Sequence, residues 1–512
     1  MKKILQFVIL LQIFLLVGCS KFLEEHPKSF LTPENFYKTP EDLNGGLNTV
    51  YRYPQDRYSN GWAAPHWFEW GTDEQEITDK STWAMHNQIA RLNATFDATA
   101  DVPKWMWEYT FNHLKDANYL LQALDNVSLE QSKKTEIEAQ TKALRALMLF
   151  DAVRIWNGVP LILEASSDID PLRTIKRAEP QEMYTAIIAD LVFAKDNLPN
   201  QWSGAENAGR LTSGSAAALL AKVYLTMAGF PLNQKDRLQD AKTILNELIV
   251  QKKYGANYAL VAEYADIYNQ QKQPHTEAVW TINFTRGTFG QGSDFHTNYA
   301  PLELYYASGI GLARGGGWSN GIPTEKFYDS YDKTNDKRFK ATYWTSTADF
   351  PAEYNSLVPQ ENGAPKHIAF YRPHIKKFRE PIPNDNSQRT NIDHYIIRYA
   401  DVLLMYAEVL NELNDNDKYA YINQVRQRAG LPALANMSQE AFREHMYLER
   451  GWELAHEGDR RFDLVRWGVY TTRTPLWNPQ VVGNIQVNKH EFWPIPQGQI
   501  DINPNLTQNN GY

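Results

Sequence analysis

The chain has 512 residues, 43% hydrophobic and 22% charged, an ordinary globular composition and not a disordered one. At roughly 150 residues per domain this is two or three domains' worth of chain, ample for a sizeable core. The formal charge of −8 argues against nucleic acid as a partner, and a single cysteine excludes an internal disulfide framework and a cysteine metal site.

Met1-Lys2-Lys3 is a short positive segment, and Ile4–Val17 is apolar apart from Gln6 and Gln12. That span is shorter than the roughly 20 residues of a transmembrane helix and fits the apolar region of a secretory signal. It ends in Leu16-Val17-Gly18-Cys19, which resembles the bacterial lipobox, in which a small residue precedes a cysteine that is acylated on sulfur. A plain signal peptide with a chance cysteine is the competing reading. The only cysteine of the chain sits at the one position the lipobox requires, which favours lipidation. Cleavage before Cys19 leaves 494 residues and moves the charge to about −10. Acyl chains on Cys19 would then hold the body at a membrane, at about 0.8 kcal/mol per buried CH₂. No later segment has 18 consecutive apolar residues.

Lys21–Tyr37 is polar and proline-punctuated and reads as a tether. From Pro40 the pattern is helical, with Leu43, Leu47, Val50 and Tyr51 on one face. Trp105–Leu124 repeats Trp107, Phe111, Leu114, Ala117, Asn118 and Leu121 at spacings of three and four. Thr135–Trp156 does the same with Ala139, Ala143, Leu144, Leu147, Phe150 and Val153, and Asn157-Gly158-Val159-Pro160 stops it. Glu182–Leu198, Ser213–Met227, Asp236–Val250, Asp393–Leu413 and Lys418–Arg428 follow the same plan. Paired amphipathic helices joined by short turns predict a mainly α fold, an α-solenoid core of tetratricopeptide-like helix pairs, although an ordinary bundle would give similar stripes. Thr281–Pro383 differs: it is rich in Gly, Pro, Asn, Tyr and Trp, and Gly309–Gly321 holds six glycines in thirteen residues. So long a loop region with many aromatics points to function. Asn478–Tyr512 is irregular again, and Trp493-Pro494-Ile495-Pro496 can pack but cannot extend a helix. The expected organisation is a signal peptide over 1–18, a tether over 19–38, a helical part over 39–280, a loop-rich ligand-binding lobe over 281–390 and a second helical part over 391–512, all one interlocked fold.

Catalytic motifs are weak. Gly317-Trp318-Ser319-Asn320-Gly321 has the spacing of a nucleophile elbow, but the glycines before it could not build the central strand that motif needs. His456-Glu457 and His490-Glu491 begin like zincins and lack the second histidine. No cofactor is expected; a calcium ion held by carbonyls and carboxylates would leave no signature. Glu449, Glu453 and Glu457 recur at i, i+4 and i+8 with Arg450, Arg460, Arg461 and Arg466 nearby. An acid/base pair is one reading, but arginines would keep the glutamates ionised, so a structural ion-pair network is preferred.

The aromatics carry the functional hint. Trp62, Trp67, Trp70 and Trp83 cluster outside the clear helices, and Phe289, Tyr299, Tyr305, Tyr306 and Trp318 cluster in the middle loops. Flat rings suit the C–H faces of sugars, with Asn, Asp and Arg to bond hydroxyls. Any one of these rings suits a packed core as well; the set suits a site. Trp62, Trp67, Trp83, Tyr299 and Trp318 are the candidate sugar-stacking residues.

Specific segments then resemble the SusD/RagB family of outer-membrane nutrient-binding lipoproteins. Phe22-Leu23 through Pro33-Glu34-Asn35-Phe36-Tyr37 is similar to its opening, and Gly71-Thr72-Asp73-Glu74 to its TDE segment. Ala143-Leu144-Arg145-Ala146 through Trp156-Asn157-Gly158-Val159-Pro160, Arg398–Glu408 with Ile422–Gly430, Glu449–Ala455 with Gly458–Gly468, and Trp493–Pro496 with Asn503–Tyr512 complete the likeness. Asn510 stands where the family commonly has proline. The resemblance implies tetratricopeptide helix pairs with an irregular lobe packed on them. It implies a lipoprotein facing outward on the outer membrane, capping a TonB-dependent, SusC-like barrel and handing it a glycan or, in some members, a peptide. The strongly matching segments are mainly scaffold, so the resemblance names a role more than a site. A surface α/α-toroid glycoside hydrolase is the competing reading from another class.

Overall fold

The computed structural model describes residues 36–59, 65–79, 81–166, 172–255, 257–285, 292–293, 295–301, 317–349, 360–362, 364–365, 369–378 and 389–512. The signal segment, Cys19 and most of the tether lie outside these residues. The fold is mainly helical, as periodicity predicts. Helix α1 spans Pro40–Ser59, α2 Ala84–Arg91, α3 Asp101–Ala123, α4 Gln131–Trp156, α5 Pro180–Asn197, α6 Ser213–Met227 and α7 Arg237–Ile249. After the irregular middle come α8 Tyr399–Glu412, α9 Lys418–Arg428, α10 Gln439–Glu453, α11 Arg460–Arg466 and α12 Tyr470–Trp477.

Successive helices pack in order: α1 and α3 on α4, α4 on α5, α5 on α6, α6 on α7, and α7 on α8. The array therefore runs through the irregular insert without a break. One contiguous apolar core extends from Leu43 to Leu506. Helix α4 is its centre. From Ala143 to Val153 every side chain of α4 is buried, the pattern of a helix surrounded by protein. Its stop signal works as the sequence implies. Asn157 takes the left-handed conformation at φ 64, and a Cβ on Gly158 would lie 2.5 Å from the Ala178 carbonyl. In α6, Ala216, Ala217, Ala218 and Ala221 are all fully buried, so the small residues let α5 and α7 approach closely.

The strands are short and occur in antiparallel pairs. β1 (Gln75–Ile77) pairs with β3 (Gly321–Pro323), β2 (Ala278–Ile282) with β8 (His394–Arg398), β4 (Tyr343–Ser346) with β7 (Ala369–Ile375), and β5 (Gln360–Glu361) with β6 (Ala364–Pro365). Two sequence expectations change here. The helix expected from Asp393 begins only at Tyr399, because His394–Arg398 is extended and pairs with β2. Its β-branched and aromatic residues suit a strand as well as a helix face. The stretch over Thr281–Pro383 is not structureless either: strands and short helices at Glu325–Asp329 and Lys337–Thr342 order part of it. The ending packs without extending a helix, as expected: Trp493 is fully buried, and its backbone N–H donates to the Ile155 carbonyl at 2.8 Å.

Residues 69–78 lock the two ends of the chain together. Asp73 accepts from Arg460 at 2.6 and 2.7 Å and from Arg473 at 2.6 Å. Glu69 accepts from the Gly458 N–H at 2.5 Å, and Glu74 accepts from the His456 N–H. The Tyr470 hydroxyl donates to the Gly71 carbonyl at 3.0 Å, and the Asn478 amide donates to the Thr72 and Gln75 carbonyls. The Gly-Thr-Asp-Glu segment is thus a buried clasp that fixes β1, and through β1 the strand β3.

Candidate aromatic site

Trp67 and Trp70 lie beside the clasp, with their rings T-shaped at 5.3 Å and almost fully buried. His86, on α2, sits against Trp70 at 4.7 Å and Trp67 at 5.7 Å. On the outer side of that imidazole Trp83 is stacked at 5.5 Å with an interplanar angle of 23°, and Trp83 is 57% exposed. Two buried tryptophans thus brace a histidine that supports an exposed ring. Burial holds the His86 imidazole neutral, lowered to about 4, and the Ser81 hydroxyl lies 2.5 Å from its Nδ1. A neutral ring costs little to bury under the stack.

The other two aromatics of this region come from the neighbouring strands. Trp318 precedes β3 and is half-buried. Its segment is stitched to residues 297–301: Trp318 N–H donates to the Thr297 carbonyl at 2.7 Å, and Asn320 N–H to the Asn298 carbonyl at 2.8 Å. A Cβ on Gly317 would lie 2.4 Å from the Ala300 carbonyl, so glycine is what lets the two segments meet. Strand β7 packs on β3, and Arg372 reaches from β7 to Glu76 on β1 at 2.5 Å. Tyr371, beside that arginine, is 89% exposed. Helix α2, which Trp83 precedes, packs on β1, so Trp83, Trp318 and Tyr371 stand on or next to elements of one small layer formed by β1, β3 and β7.

The candidates divide accordingly. Trp83 and Trp318 reach the surface. Trp67 and Tyr299 do not: each is about 1% exposed. Trp67 is held by Trp70 and His86, and Tyr299 packs against Phe295 at 5.7 Å and Phe378 at 6.0 Å. Both are core residues, which corrects the expectation that they stack on sugar. Trp62 lies outside the described residues, as do Phe289, Tyr305 and Tyr306. Tyr371 was not among the candidates. Its only signal is the two-residue alternation of a strand interrupted at Pro373.

The possible catalytic features resolve into scaffold. Strand β3 begins at Gly321, the motif's last residue, where a nucleophile elbow would turn into a helix, so the motif is not an elbow. Ser319 Oγ is 3.0 Å from His374 Nε2, but both residues are buried and His374 Nδ1 faces the Arg372 carbonyl, not a carboxylate. Helix α10 ends at Glu453, so Glu457 lies beyond the helical face it was expected to share. All three glutamates are paired. Glu449 takes Arg338 and Arg426, each at 2.7 Å; Glu453 takes Arg338, Arg398 and Arg428; Glu457 takes Arg398 at 2.8 Å and Lys377 at 2.5 Å. Burial alone would raise the Glu449 carboxyl, but Arg338, His445 and Arg426 outweigh it and hold it down at about 2. The same opposition lowers Glu453 and Glu457. Carboxylates held ionised this firmly are poor general acids. Among the described residues, no group of three or more His, Cys, Asp or Glu side chains is placed to hold a metal ion.

Comparison with known proteins gives these sites a context. The profile of the SusD family matches residues 276–512, and a profile described as starch-binding associating with outer membrane matches residues 21–225. SusD-like protein P25 of Formosa agariphila is 26% identical over 98% of both chains. SusD-like protein P2 of the same organism is 28% identical over 99% of both. A solved structure described as a laminarin binding SusD-like protein superposes with a TM-score of 0.77 at 25% identity, covering 93% of this chain and 100% of the other.

Proposed function

Because the chain belongs to the SusD/RagB family, we propose that it captures a glycan at the bacterial surface and passes it to a TonB-dependent, SusC-like outer-membrane transporter, over which it closes as a lid. The observation that carries this reading is the braced ring of Trp83, exposed on a layer that also bears Trp318 and Tyr371. A sugar's C–H face buries apolar area against such a ring, and rigid support under the ring lowers the ordering cost of binding. The descriptions of relatives as starch-binding and laminarin binding agree with a saccharide ligand. Binding proceeds without turnover and without a cofactor. Lipid on Cys19 holds the body to the outer membrane.

Affinity electrophoresis of the chain lacking residues 1–19, against laminarin, starch and other polysaccharides with and without EDTA, tests the ligand. We expect retardation by at least one polysaccharide, equal in both conditions and without release of reducing ends. Capture of a peptide pool with no polysaccharide retardation would replace glycan by peptide. Fractionation of cells lacking the transporter tests the anchor: Cys19→Ala should leave the membrane fraction, and undiminished attachment would refute lipidation.

A further inference from the structure

A second concave site opens where α1, the loop over residues 206–210 and the end of β2 meet. It is a cleft of about 190 Å³ and shares no lining residue with the β1, β3 and β7 layer. Tyr51, Pro54 and Ile282 are an apolar part of its lining. The Arg210 guanidinium lies over the Tyr51 ring, 5.5 Å from its centroid. Arg210 donates to Gln140 Oε1 at 3.1 Å and to Asn48 Oδ1 at 3.3 Å, and among the described residues it forms no salt bridge. A guanidinium has five N–H groups, so donors remain for something else. Tyr51 is itself fixed: its hydroxyl donates to Gln140 at 2.9 Å and accepts from the Leu211 N–H at 3.1 Å.

The loop is shaped to keep the cleft's wall in place. Gly209 sits at φ +80, a conformation that favours glycine, and a Cβ there would lie a tight 3.2 Å from the Asn283 side chain. Trp202 Nε1 donates to the Leu211 carbonyl at 2.8 Å and ties down the loop's exit. Asn48, Gln55 and Asn283 supply amides, while Glu206 and Arg210 supply one charge of each sign. A set of donors and acceptors with no net charge, beside the apolar side chains of Pro54 and Ile282, matches the hydroxyls and C–H groups of a neutral sugar. The volume is below the roughly 300–1,000 Å³ of pockets for drug-sized ligands, so it suits one ring and not a chain.

We propose that this cleft is a second saccharide subsite that takes a single neutral hexopyranose unit, separate from the Trp83 surface. The proposal deepens the glycan reading and rests on it. Two sites on one rigid body would let a long polysaccharide engage both, which raises avidity without new contacts at either.

Saturation-transfer NMR with free glucose, galactose, mannose and glucuronate tests it, using the wild type and a Trp83→Ala/Trp318→Ala variant. At least one neutral hexose should receive saturation from the double variant. Arg210→Ala should weaken that binding about tenfold, the scale of losing hydrogen bonds to a charged group. Asn283→Ala, at an exposed position, should weaken it with an unchanged melting temperature and so guards against a folding artefact. Transfer that vanishes in the double variant, or that survives both Arg210→Ala and Asn283→Ala, would overturn the subsite. Stronger transfer to glucuronate would overturn its neutral character. Polysaccharide retardation of the wild type, measured separately, reports on the glycan reading itself, so the two can fail independently.

Discussion

The region around α10 and the β1, β3 and β7 layer use the same kinds of side chain to opposite ends. Around α10 the charged groups are buried and cancel one another: Arg338, Arg398 and Arg428 converge on Glu453, and Arg398 also meets Glu277 at 2.7 Å. At the layer, buried aromatics hold up an exposed one, so a ring faces solvent in a fixed orientation. Charge and aromaticity are plentiful in both places; what separates scaffold from site is whether the group's interactions are completed within the protein.

The sharpest way to break this comparison is to remove one partner on each side. Glu453→Ala should leave three guanidinium groups short of a buried counter-charge and destabilise the protein by about 3–5 kcal/mol in denaturant unfolding. Trp67→Ala should cost about as much through the cavity it leaves. A loss below about 1 kcal/mol in either would mean that the region is looser than its packing indicates.

Next in size is an acid effect at His86. Burial lowers its imidazole to about 4. The unfolded chain takes up that proton below its ordinary value near 6.5, whereas the native chain does so only near 4. Stability present above pH 6.5 is therefore lost as pH falls through this window, by about 3 kcal/mol at the acid end. Asp393 opposes it. Burial raises its carboxyl to about 6, against the Phe284 N–H it accepts from, so its contribution is lost as pH rises from 3.8 through 6. Urea midpoints between pH 4 and 7 should show a flatter acid limb for His86→Asn than for the wild type. Parallel curves would remove His86 as the cause.

The smallest effect on the fold should come from the exposed ring. Trp83→Ala is expected to leave the melting temperature within about 2 °C while weakening polysaccharide binding about tenfold, as a stacked anchor residue would. Tyr371→Ala should do the same more weakly. Unchanged affinity in both, together with Trp318→Ala, would move the glycan away from this layer.

The helices were legible because burial writes a 3.6-residue period into a long segment. Thr135–Trp156 and Ser213–Met227 are found as read, give or take a turn. His394–Arg398 was not, since so short a run of aromatic and β-branched residues fits a strand as well as a helix and only the pairing with β2 decides between them. A structural role for the glutamates was legible from the surplus of arginine, but not which arginines: Arg450, Arg460, Arg461 and Arg466 bond other groups, and the glutamates take Arg338, Arg398, Arg426, Arg428 and Lys377 from elsewhere in the chain.

From the residues alone come the lipobox expectation at Cys19, the mainly helical class, the family likeness and the absence of a catalytic signature. These depend on local order along the chain. Which tryptophan meets solvent does not. Trp67 and Trp83 have the same side chain, stand sixteen residues apart and border the same histidine, yet one is core and the other is exposed. Composition and spacing record what a side chain can do. Only the packing of α2, the clasp over residues 69–78 and the strands from the far end of the chain decides which face of His86 each ring covers, and so which ring a ligand can reach.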